Sequence, residues 1–232
     1  MVKDLVVTQP TLFLLAGPNG SGKSTIAYTL RQSYPALAYI SADDLATTQF
    51  KHIADAESRH YDYATQQAEA DVLQAIAHHT SLIFETVLSS DYKWHLLDAA
   101  RQAGMKSASV FVSTCNVQIN LARVGKRVQA GGHDVPADKV ISRYARSMAR
   151  LGKLILMSDE CYVYDNSIDG QKPTLQFAKV RNEHFLVRGE GAFSWVGALY
   201  QQWCKEGICT YDNTYGINMK KMRMLDMQRY ES

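Results

Sequence analysis

The segment Gly17-Pro18-Asn19-Gly20-Ser21-Gly22-Lys23-Ser24 constrains this chain more than any other, because its glycines permit backbone shapes that side chains resist. It follows the apolar run Thr11-Leu12-Phe13-Leu14-Leu15-Ala16 and leads into a helical pattern from about Lys23 to Ser33. A strand, a glycine loop and a helix in that order make a unit whose amides curl around a phosphate, and the positive helix end adds attraction for the anion. Gly17, Asn19, Gly20, Ser21 and Gly22 are the expected cradle, and Lys23 is expected to reach the β- and γ-phosphates. Ser24 would offer its hydroxyl to magnesium, with Thr25 beside it. ATP and Mg2+ are the implied cofactors.

The rest of the chain repeats the strand-then-helix rhythm. Short apolar runs at residues 37–40, 81–84, 108–113 and 161–164 are each separated by enough chain for a crossover helix. With the first run they predict an α/β three-layer fold on a five-stranded parallel sheet. Ala64, Ala68, Val72, Ala75 and Ile76 recur at helical spacing within residues 58–79, and residues 92–103 read as a further helix. Two helices, near residues 117–129 and from Pro136 onward, flank the polar Ala130-Gly131-Gly132-His133-Asp134 and predict a helical lid over about 117–152. After Asn166 the runs at 174–180 and 184–187 suggest a β-hairpin, followed by a helix near 193–204. The domain so defined covers residues 1–190. Residues 191–232 form an expected helical extension whose Met219, Met222, Met224 and Met227 suit adaptable packing.

Two acids end predicted strands: Asp43 in Ile40-Ser41-Ala42-Asp43-Asp44, and Glu85 in Leu82-Ile83-Phe84-Glu85-Thr86. Ligands of an open parallel sheet sit outside the carboxyl ends of its strands, so both carboxylates face the phosphate loop. Transfer to a hydroxyl needs a carboxylate that takes the acceptor proton and cations that stabilise the moving phosphoryl group. Asp43 is the expected base, although Asp43 or Asp44 could instead cap the following helix. Glu85, Thr86 and His133 are the expected acceptor contacts. Arg123 and Arg127 share one helical face, as do Arg143, Arg146 and Arg150, and Arg127 and Arg143 frame Gly131-Gly132-His133 as fingers supplied within the chain.

Composition narrows the classes. The 232 residues, 46% apolar, support one sizeable core. Net charge is only +2, against a general nucleic-acid binder, yet Leu121 to Leu154 hold eight cations and two anions. Cys115, Cys161, Cys204 and Cys209 lack zinc or disulfide spacing, and no apolar run spans a membrane, so a cytoplasmic protein is expected. An NKxD segment for guanine, an LSGGQ-like signature and an apolar strand ending in Asp-Glu are all missing, which points away from GTPases and motor-type ATPases.

AGPNGSGKST at 16–25, ISADDLA at 40–46, FETVLSS at 84–90, RVGKRVQAGGHDVPADKVISRY at 123–144 and YDNS at 164–167 occur in one order. On these motifs, over about residues 12–167, the chain resembles the zeta toxins, P-loop kinases of bacterial toxin–antitoxin systems, and their chromosomal relatives. The resemblance implies phosphorylation of the 3′-hydroxyl of UDP-N-acetylglucosamine or a related UDP-sugar, with a separate antitoxin polypeptide as partner. It implies phosphate binding by Lys23, a base at Asp43, a sugar contact at Glu85, ATP contacts at Arg127 and Arg143, and an adenine-side Asn166, which an Asx turn explains almost as well. The chain departs from the family at Val87, where Glu-Thr-Thr is usual. The alternatives are a P-loop kinase of a nucleoside, cofactor or antibiotic, and a nucleotide-binding switch without an acceptor.

Overall fold

The computed structural model describes residues 9–50, 59–132, 134–180, 183–186 and 194–207. Five strands lie parallel in one sheet: β1 (Thr11–Ala16), β2 (Ala38–Ser41), β3 (Leu82–Thr86), β4 (Lys106–Ser113) and β5 (Glu160–Asp165). The predicted hairpin, β6 (Thr174–Val180) and β7 (Glu183–Leu186), adds antiparallel to β5, so the sheet has seven strands in the order β2-β3-β1-β4-β5-β6-β7 rather than five. The reason is an otherwise open edge: β5 has unpaired backbone groups on the side away from β4, and β6 satisfies them from Glu160↔Val180 onward.

Strand residues alternate between two cores, as a pleated sheet requires. Leu12, Leu14 and Ala16 face one side; Phe13 and Leu15 face the other, where α1 (Lys23–Ser33) packs through Ile26, Ala27 and Leu30. The first side is covered by α3 (Arg59–Ala77), α4 (Trp94–Gln102), α6 (Ala137–Met157) and α7 (Ser194–Lys205). From α7, Val196, Tyr200 and Trp203 join this core, with Tyr200 and Trp203 set against Phe177 of β6. A third, small cluster of Val124, Val135 and Val140 holds α5 (Val117–Gln129) to α6. The methionine-rich stretch and His133 lie outside the described residues.

Candidate active site

The glycine loop joins β1 to α1 at the centre of the sheet, beside the strand-order reversal between β1 and β4 where open α/β sheets bind ligands. Gly22 precedes α1 with φ of 92° and supplies no side-chain cap, so the positive end of α1 opens onto the glycine loop, although the Thr25 amide is already taken by the Gly22 carbonyl at 3.1 Å. Lys23 is buried, and its Nζ donates to the Pro18 carbonyl at 3.2 Å. Its ammonium also lies 3.9 Å from Glu85 Oε1. Burial holds its pKa below the usual lysine value, against the opposing pull of Glu85 and Asp43, while Arg127 and Arg143 push it lower still. Ser21 Oγ is buried without a hydrogen-bond partner, whereas Ser24 and Thr25 are exposed.

The two carboxylates sit at the ends of neighbouring strands. Glu85, the penultimate residue of β3, receives a hydrogen bond from the Tyr39 hydroxyl at 2.6 Å. That phenol is pushed well up by burial and then by Glu85, so it stays a donor. Asp43 lies in the first turn of α2 (Ala42–Thr48), and neither Asp43 nor Asp44 is the cap: Ser41 fills that position and accepts from Asp44 N at 3.5 Å. Asp43 is exposed; burial and then the Asp43 charge raise the pKa of half-buried Tyr61, which Arg127 opposes.

These groups meet at one cavity of about 400 Å³, lined by Asn19, Lys23, Asp43, Glu85, Thr86 and Arg143 among others. Arg143 is half-buried and donates to Asn19 Oδ1 at 3.4 Å. Arg127 does not line the cavity but acts on it through its charge at Lys23 and Tyr61. Arg123 is turned elsewhere, with Nε and Nη2 on Asp169 at 2.9 and 2.6 Å and Nη1 on the Asn166 carbonyl at 2.7 Å. Asn166 in turn donates from Nδ2 to the Ser21 carbonyl at 2.8 Å, so it braces the phosphate loop.

Sequence reasoning missed several residues of the site. Tyr39, which donates to Glu85, and Tyr61, which lines the cavity, gave no signal beyond being aromatic. The pair Lys93 and Glu69, both buried and in direct contact, lines the cavity floor, with Lys93 5.7 Å from the centre of the Phe84 ring. Burial pushes Lys93 down to about 8. A carboxylate one residue after Ala68, beside the apolar stripe of α3, was the available clue.

A glycine-loop strand and helix at the sheet's centre, with carboxylates at adjoining strand ends and a cationic helical hairpin, defines a P-loop phosphotransferase architecture. The chain belongs to the Zeta toxin family, a family of P-loop kinases, whose model matches residues 4–167. An uncharacterized protein of Haemophilus influenzae is 30% identical over 145 residues, covering 61% of this chain and 98% of that one. Among solved structures, a chain of the AvrRxo1-ORF1:-ORF2 complex with ATP has a TM-score of 0.62 at 16% identity, covering 90% of this chain. This chain spans 66% of the length of that one. A chain from the PezAT chromosomal toxin-antitoxin system of Streptococcus pneumoniae has a TM-score of 0.56 at 13% identity, covering 88% and 89% of the two chains. At those identities the two structures speak for the fold. No described helix is long and apolar enough to cross a membrane.

Proposed function

We propose that this chain is an ATP-dependent cytoplasmic kinase that phosphorylates a hydroxyl of a sugar nucleotide, the 3′-hydroxyl of UDP-N-acetylglucosamine, and acts as a toxin restrained by a separate antitoxin. The observation that carries the kinase reading is a cavity lined at once by Lys23 of the phosphate loop, Asp43, Glu85 and Arg143. A donor loop and a proton acceptor facing one space suit transfer between two substrates better than a switch that binds one.

In this reading the triphosphate lies along Gly17, Asn19, Gly20, Ser21 and Gly22, with Lys23 on the β- and γ-phosphates and Thr25 behind Ser24. The exposed Ser24 hydroxyl and the cavity carboxylates are hard oxygen donors of the kind magnesium takes, and the ion would offset phosphate charge. Asp43, exposed at the cavity, accepts the acceptor hydroxyl proton. Arg143 and Arg127 stabilise charge on the moving phosphoryl group. Glu85, fixed by Tyr39, and Thr86 contact the sugar, His133 is a further proposed sugar contact, and Arg123 and Asn166 border the adenine side. The sugar nucleotide and the antitoxin rest on family membership.

The test is incubation with ATP, Mg2+, UDP-N-acetylglucosamine and a metabolite extract, followed by mass spectrometry. A sugar nucleotide carrying one added phosphate is expected. Phosphate on a different metabolite instead would overturn the acceptor, and ATP hydrolysis with no phosphorylated product would overturn the kinase in favour of a switch.

A further inference from the structure

One buried polar residue outside the expected site touches the phosphate loop twice. Asn120, in the second turn of α5, is wholly buried. Its Nδ2 donates to the Asn19 carbonyl at 2.6 Å, and its Oδ1 accepts from the Thr114 hydroxyl. Its own carbonyl lies so close to the loop that a Cβ on Gly20 would be 2.5 Å from it. A buried side-chain amide is costly unless its groups are satisfied, and here both are.

The contacts close into a ring. Asn19, held by Asn120 at its carbonyl, accepts Arg143 on its side chain at 3.4 Å. Thr114, held by Asn120 through its hydroxyl, accepts the Tyr144 hydroxyl on its carbonyl at 2.7 Å. Arg143 and Tyr144 are consecutive on α6. The ring therefore ties the phosphate loop, the β4–α5 junction and α6 together, with Asn120 as the member that bonds two of the three.

We infer that Asn120 is a positioning residue: by fixing Asn19 and Thr114 it sets where α6 presents Arg143 relative to the phosphate loop. The inference deepens the proposed kinase but does not need its acceptor. Nor does it need Asn120 to touch substrate. An arginine that must meet developing charge gains most when its place is set beforehand, because no reorganisation is then needed at the moment of transfer.

The test pairs Asn120→Ala with Arg143→Ala, reading ATP turnover with water as default acceptor, and hydrogen–deuterium exchange on the ligand-free proteins. Asn120→Ala should slow turnover by about tenfold, and the double variant should be no slower than Arg143→Ala within about threefold, the pattern of residues that act as a unit. Exchange should rise in residues 18–22 and 137–146, not only around 114–124. If the two losses multiply, or if exchange rises only around 114–124, the inference is overturned. Should Asn120→Ala not fold, Thr114→Val, which removes the hydroxyl that Asn120 Oδ1 accepts and leaves the phosphate loop's own residues in place, must give the same non-additivity with Arg143→Ala. If the wild-type chain shows no ATP turnover with water, the acceptor assay above still decides the kinase reading, and the exchange pattern decides this one.

Discussion

Gly22→Ala is a sharp test of how the phosphate loop is built, because two separate costs can be read from the structure. Gly22 has φ of 92°, in the left-handed region, where an L side chain costs about 1–2 kcal/mol. A Cβ there would also lie 2.1 Å from Asn166 Nδ2, so that amide must leave the Ser21 carbonyl it now contacts at 2.8 Å. Losing that hydrogen bond adds about 1 kcal/mol. The expected destabilisation is about 2–3 kcal/mol, a Tm fall of roughly 4–12 °C for a chain of this size by calorimetry. Asn166→Ala alone should cost about 1 kcal/mol, and because it removes the clash, the double variant should be less damaged than the sum of the two. Nucleotide affinity should fall with Gly22→Ala too, since the amides at the head of α1 would be re-aimed. A Gly22→Ala protein within about 0.5 kcal/mol of wild type, a change usual for unremarkable surface sites, would refute the reasoning, as would strict additivity with Asn166→Ala.

Three further outcomes are expected. Asp43→Asn should keep ATP affinity by calorimetric titration while slowing transfer by ~100-fold or more, as loss of a general base demands; collapsed ATP affinity would give Asp43 a different role. Tyr39→Phe should cost about 1 kcal/mol of stability in denaturant titration and lower kcat, since Glu85 loses its 2.6 Å donor and is left to Lys23; unchanged kcat would leave Glu85 outside the chemistry. Burial lowers Lys93 to about 8, below its unfolded value, so between those two pH values the unfolded chain holds the extra proton and stability attributable to Lys93 rises with pH. The stability of wild type relative to Lys93→Met should therefore increase from pH 7.5 to 9.5, and a flat or falling difference would contradict the assignment.

Much of this architecture could be read from the chain because local pattern and tertiary place agree. β1 is apolar throughout, and its alternate residues feed two cores, Leu12 and Leu14 on one side and Phe13 and Leu15 on the other. The glycine loop needed no tertiary information either. What stayed hidden depends on partners far along the chain. Arg123 and Arg150 look equivalent to Arg127 and Arg143 by spacing, yet Arg123 is taken by Asp169 and Arg150 by Asp91, 46 and 59 residues away. The hairpin strands were visible, but their junction with β5 was not, since register is set by the pairing partner. Cap competition at Asp43 and Asp44 was resolved by Ser41, a residue whose β-region backbone is the geometry a cap requires. Asn120 was unreadable because its amide serves a carbonyl 101 residues earlier.

Arg127 and Arg143, the two arginines whose charges act on Lys23, are mounted differently, and that difference can be tested. Arg143 sits on α6, a 21-residue helix whose later turns bury Leu151, Leu154 and Ile155 in the main core, so its base is anchored. Arg127 lies in the last turn of α5, where the chain reverses through Gly131 and Gly132. A Cβ on Gly132 would stand 2.6 Å from Arg127 Cγ and 2.9 Å from its carbonyl, so the bare Gly132 backbone is what lets that side chain lie where it does. Gly132→Ala should therefore displace Arg127 without disturbing Arg143, reproducing most of the kinetic loss of Arg127→Ala. Transfer should slow by at least about tenfold, equivalent to ~1.4 kcal/mol of transition-state stabilisation, with the melting temperature of the core little changed. A Gly132→Ala enzyme of full activity beside an impaired Arg127→Ala would mean that the turn does not place this arginine and that α5 alone carries it to the phosphates.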